Sequence, residues 1–208
     1  FVIWERVCPN PILDVALFKK PSFSFNVMGR VILFITYAPV IFFMPFYLQG
    51  VAGYSPGATG GIMMTNALGM IIAGPLAGRL SDRFGHSVAI SAGMILFGAN
   101  TMFLPFVGGA VMLMVPAVLM GIAQALVLPS TIALVSHQVE SEHIATGMGL
   151  VGTLRNAGKV AGPVLAGLLI SVLEFGPTFH LLGLGLILGT IPLLYRIRKH
   201  SLIPDTLI

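Results

Sequence analysis

Between Val31 and Gly78 the sequence holds no aspartate, glutamate, lysine or arginine, and it holds none between Phe84 and Val139. Only 9% of the 208 residues are charged and 56% are apolar, where a soluble domain carries about 25% charge. With a mean hydropathy of +0.97, this scarcity excludes a water-soluble globule. The single cysteine, Cys8, excludes an internal disulfide framework and a thiolate-rich metal site. There is no Gly-Lys-Ser/Thr phosphate loop, no metal-spaced His/Cys set and no Gly-x-Ser-x-Gly elbow. Enzyme chemistry, and cofactors with it, have no footing here. The loop from His137 to His143 carries Glu140 and Glu142, a set better read as a solvated loop than as a metal site.

What is present is length without charge. Each of the two uncharged runs suffices for two membrane crossings of about 20 residues at about 1.5 Å rise per residue. Six spans are expected, at 24–48, 56–78, 88–106, 111–130, 144–173 and 178–195. Ser55-Pro56 gives the second a cap residue and then proline at its first helical position. Residues 1–23 read as a connector, 24–196 as the bundle and 197–208 as a tail. The opening Phe1-Val2-Ile3-Trp4-Glu5-Arg6 reads as the end of an earlier apolar helix, so a truncated chain with further helices upstream is expected.

Charge follows the loops. Eight of the eleven Lys and Arg residues lie in the connector, in the segment 78–87 and in the basic stretch 196–200, and the loops between them on the other side hold none. By the positive-inside rule both ends are expected in the cytoplasm, with the acidic His137–His143 loop as the exception on that side. The net charge of +4 thus tracks topology rather than a basic patch, and no nucleic-acid partner is expected.

Two stretches carry a resemblance. Gly78-x-Leu80-Ser81-Asp82-Arg83-Phe84-Gly85 resembles the motif A loop of the major facilitator superfamily, with His86 and Ser87 where the family has two basic residues. Gly78 and Gly85 are expected to shape a tight turn between helices, and Asp82 to meet a helix N-terminus or an arginine. In the fifth span, Gly149, Gly158, Gly162, Pro163 and Gly167 match the spacing of the superfamily's antiporter motif C, with Ala166 replacing one glycine. That motif belongs to the fifth helix of the family's first bundle, so this is either the motif or its pseudo-symmetric echo. Glycines allow close helix approach, and Pro163 leaves the Lys159 carbonyl without its helical partner. Helix packing is the first role expected, with a share in rocking or in blocking a leak. The connector and Thr153-Leu154-Arg155-Asn156 look like the corresponding parts of the 14-helix drug:proton antiporter branch.

The resemblance implies an all-α membrane protein, the C-terminal six-helix bundle of a transporter built as a three-plus-three inverted repeat. It implies alternating access against a missing N-terminal bundle, in the cell (inner or plasma) membrane. Export of hydrophobic or cationic small molecules driven by protons follows from it. Yet no Asp or Glu falls inside the six spans, so the proton-binding group is expected in the missing half. Arg155 and Lys159, four apart and on one face, together with Asn66 and Gln124, are the candidate substrate path. Snorkelling for the cations and helix-to-helix hydrogen bonds for the amides are their bland alternatives. Positive charge in a cavity favours anions, which leaves a metabolite or organic-anion transporter of the same fold as an alternative. A non-transporting membrane scaffold is a second.

Overall fold

The computed structural model describes residues 21–138 and 144–191. The connector at 1–20, the loop at 139–143 and the tail lie outside these residues, and so do the expectations placed on them. Among the described residues six helices follow in order: α1 (Pro21–Phe46), α2 (Pro56–Phe84), α3 (His86–Phe103), α4 (Ala110–Gln138), α5 (Ile144–Leu173) and α6 (Phe175–Leu188). A π turn, Tyr47–Val51, prolongs α1, and a 3-10 turn, Leu104–Phe106, prolongs α3. Among the described residues there is no strand.

In α1 to α5 there is an apolar stretch long enough to cross a membrane, and α6 is a shorter apolar helix. Such helices satisfy every backbone group within themselves, as lipid demands. Four of them contain interior prolines: Pro39 and Pro45 in α1, Pro75 in α2, Pro116 and Pro129 in α4, and Pro163 in α5. Ser55 caps α2 as expected, its hydroxyl accepting from Ala58 N at 3.3 Å.

One expectation is corrected. The segment 78–87 is not a loop: Gly78, Leu80, Asp82 and Arg83 all lie in the last turns of α2, which runs six residues beyond the expected end. Charged side chains at a helix end reach water without the helix having to stop. Only Gly85 breaks the backbone, at φ +91°, a conformation that a Cβ would strain. Its N–H donates to Ser81 O at 2.9 Å, and its carbonyl accepts from Val88 N and Ala89 N at 3.1 and 3.2 Å. One residue therefore closes α2 and opens α3.

Packing pairs α2 with α4, α1 with α5, and α3 with both α4 and α6. The first two pairings exchange under a three-plus-three repeat, as α1 maps onto α4 and α2 onto α5. Backbones meet at glycines. A Cβ on Gly69 would stand 2.5 Å from Val118 O, and one on Gly121 would run into Asn66 O. Gly98 and Gly183 face each other: a Cβ on either would fall 2.5–2.6 Å from the other's carbonyl oxygen. Around these crossings Val40, Leu48, Met94, Phe97, Met120, Phe179 and Leu186 form the buried core. The enclosed spans are α3 and α4, while α2 and α5 leave most of their length uncovered.

Candidate functional site

On α5 the glycine stripe faces α1. A Cβ on Gly158 would stand 2.5 Å from Phe34 Cβ, and one on Gly162 would stand 2.8 Å from Pro39 Cδ and 3.0 Å from Ile35 O. Proline at 39 deprives that same Ile35 carbonyl of its helical donor, so two irregular helices meet where neither has a side chain to spare. Ala166 is fully buried at the position that departs from the family pattern. Gly167 makes only ordinary contact, 3.6 Å to Phe43 Cζ, and Gly149 would meet nothing within 4 Å. The seam is thus carried by Gly158 and Gly162 beside Pro163, and Gly149 stands outside it.

Beside this seam much of α5 is exposed. Arg155, Asn156 and Lys159 are exposed, as are Val160, Val164 and Leu168 further along. Among the described residues neither cation has an ion-pair partner. A charge within a span costs roughly 2.5–3.5 kcal/mol on insertion scales, so an unpaired one belongs beside water or a ligand. Arg155 reaches a cleft of about 220 Å³ that Phe34, Leu128, Thr131, Ile132, Met148 and Gly152 complete.

Asn66 and Gln124 lie elsewhere, inside the α2–α4 crossing. Gln124 Nε2 donates to Asn66 Oδ1 at 3.3 Å, and Asn66 Nδ2 donates to Ala117 O at 3.1 Å. Asn100 Nδ2 fastens α3 to the same helix through Pro116 O at 2.9 Å. Asn66 also borders an apolar void of about 20 Å³, among Met44, Met63 and Met120. The structure thus divides the four candidate path residues into an internal amide pair and an open cationic pair.

At the Gly85 end, Asp82 is exposed and has no ion pair among the described residues, and the Arg83 guanidinium lies 5.4 Å from its neighbour's ring, Phe84. The buried group there is Ser81. Ser130 Oγ donates to Ser81 Oγ at 2.9 Å, and Ser81 Oγ lies 2.7 Å from His86 Nδ1. This hydroxyl link between α2 and α4 escaped sequence reasoning, because the two serines are 49 residues apart. A serine in each apolar helix, near the same membrane face, was the available signal.

The family model described as Major Facilitator Superfamily matches residues 25–206. The chain belongs to the Major Facilitator Superfamily. Within that superfamily it is similar to the multidrug resistance protein Stp of Mycobacterium tuberculosis, 28% identical over 181 residues, which is 84% of this chain and 34% of that protein. It is similar also to the multidrug transporter protein MdtP of Bacillus subtilis, 32% identical over 104 residues, or 50% of this chain and 19% of that one. The quinolone resistance protein NorA of Staphylococcus aureus is 26% identical over 156 residues, 75% of this chain and 40% of that protein. A crystal structure of a peptide transporter, complexed with alafosfalin, shares the fold with a TM-score of 0.67 at 22% identity, covering 84% of this chain and 37% of its own. The chain spans about a third of the length of Stp. Superfamily membership and the apolar helices make this a multi-pass membrane protein.

Proposed function

We propose that this chain is the C-terminal bundle of an exporter of drug-like hydrophobic or cationic small molecules, working by alternating access and driven by protons. The observation that carries the reading is the uneven cover of the helices. Here α2 and α5 leave most of their length bare, and bare apolar residues such as Ile71, Ile72, Leu76, Val160 and Val164 want lipid or a second bundle. The names of Stp, MdtP and NorA support drugs as the cargo. Asp82 and Glu174 are the only acids among the described residues, and both sit at helix ends. The proton-binding carboxylate is therefore assigned to the second bundle. Both ends of the chain are placed in the cytoplasm, across the cell's inner or plasma membrane, from the distribution of Lys and Arg.

The test uses full-length protein in inverted membrane vesicles carrying a pH gradient, following proton release when cationic dyes are added. Dye-dependent release is expected, with a lower rate in Lys159→Ala. Response to organic anions and to no cationic dye would overturn the drug-export reading in favour of an anion transporter.

A further inference from the structure

We propose that the cleft between α1, α4 and α5 is a subsite for a carboxylate on an amphipathic small molecule, with Arg155 as its anchor. The proposal rests on the export reading only in taking the bound molecule to be a transported one. The binding itself stands on the geometry of the cleft.

The cleft measures about 220 Å³ and its walls are two-sided in chemistry. Phe34, Leu128, Ile132 and Met148 offer an apolar bed for a ring system or short chain. Thr131 is the second polar residue in the wall, but its hydroxyl proton is committed to Val127 O at 2.6 Å. Among the described residues Arg155 is left as the side-chain donor. At Gly152 a Cβ would meet nothing within 4 Å, so that side of the cleft is clear.

Nothing described neutralises the guanidinium. Glu174 lies 19 residues further along the same strand of sequence, which is about 28 Å of helical rise. Asp82 sits at the end of α2, a helix that contributes no residue to the cleft. Glu140 and Glu142 lie outside the described residues. Guanidinium binds a carboxylate through two parallel N–H donors, and it does so best with an apolar surround that keeps water out. Lys159, one turn on and exposed on the same face, adds a second positive charge that draws anions toward the cleft. A hydrophobic molecule with a carboxylate, zwitterions included, matches what the cleft presents.

The test measures binding of radiolabelled 1-naphthylacetate, and of its neutral counterpart 1-naphthylacetamide, to full-length protein in phosphatidylcholine nanodiscs. The acid is expected to bind at least about tenfold tighter than the amide, equivalent to 1.4 kcal/mol. Arg155→Gln should erase that preference while leaving the amide within twofold, and Arg155→Lys should restore part of it. Equal affinity for acid and amide, or an acid affinity untouched by Arg155→Gln, would overturn the proposal. Loss of both ligands in Arg155→Gln would overturn it too, since Arg155 would then be holding the cleft together. A parallel set of nanodiscs containing phosphatidylglycerol separates the two sources of anion. Charge-selective occupancy by that lipid, with no binding of the acid in its absence, would make the site a headgroup site and sink the small-molecule assignment. Because binding needs no gradient, its failure and a failure of dye-driven proton release are separately visible.

Discussion

Gly158 of α5 stands so close to Phe34 of α1 that a methyl group on the glycine would fall 2.5 Å from the phenylalanine Cβ. Neither atom is the free end of a flexible side chain, so a larger residue must push the helices apart. Overpacking of this kind costs about 1–3 kcal/mol. Gly158→Val should lower the melting temperature in detergent by several degrees. Gly149→Ala, where the added carbon meets open space, should leave it unchanged or raise it, since alanine is favoured over glycine within a helix by about 1 kcal/mol. Equal destabilisation by the two variants would show that the stripe does not act through its contact with α1.

The amide pair allows a double-mutant cycle. Asn66→Leu removes both its bond to Ala117 O and the acceptor for Gln124, whereas Gln124→Leu removes only the shared bond. Asn66→Leu should therefore cost more, and the coupling between the two should be about 0.6 kcal/mol, the usual size of an interhelical hydrogen bond in a membrane. Reversible unfolding in mixed micelles measures both. A coupling of zero would mean that the pair is not formed.

Ser81 sits between two partners, Ser130 on α4 and His86 at the start of α3. Ser81→Ala should destabilise by about 1–3 kcal/mol, because it leaves a buried hydroxyl without its acceptor. Ser130→Ala should cost less, since Ser81 still reaches His86. Thermal unfolding of the two variants gives the order, and the reverse order would assign the link to a different partner.

Most of the architecture was legible in the absence of charge. Two uncharged runs of this length leave little choice but paired membrane helices, and the glycine spacing in the fifth span marked Gly158 and Gly162 before any contact was visible. The end of α2 was not legible, because hydropathy falls at Gly78 while the backbone continues helical until Gly85 ends it. Hydropathy reports where water begins, and hydrogen bonding decides where a helix stops. The partners of Asn66 and Ser81 were equally hidden. In helices apolar on nearly every side, no periodic pattern says which way a polar side chain turns. The cleft beside Arg155 draws its walls from three helices, and only their relative rotation brings Phe34, Thr131 and Met148 to one place.

The single-residue joint at Gly85 has a mechanical consequence. A connection of one residue, hydrogen-bonded on both sides, has no slack, so α2 and α3 behave as the two arms of a bent lever. Tilting the long arm through the bilayer swings the short one at once. Because Gly98 locks α3 to α6 at Gly183, that swing is handed on to the far edge of the molecule, where lateral pressure in the surrounding lipid pushes back.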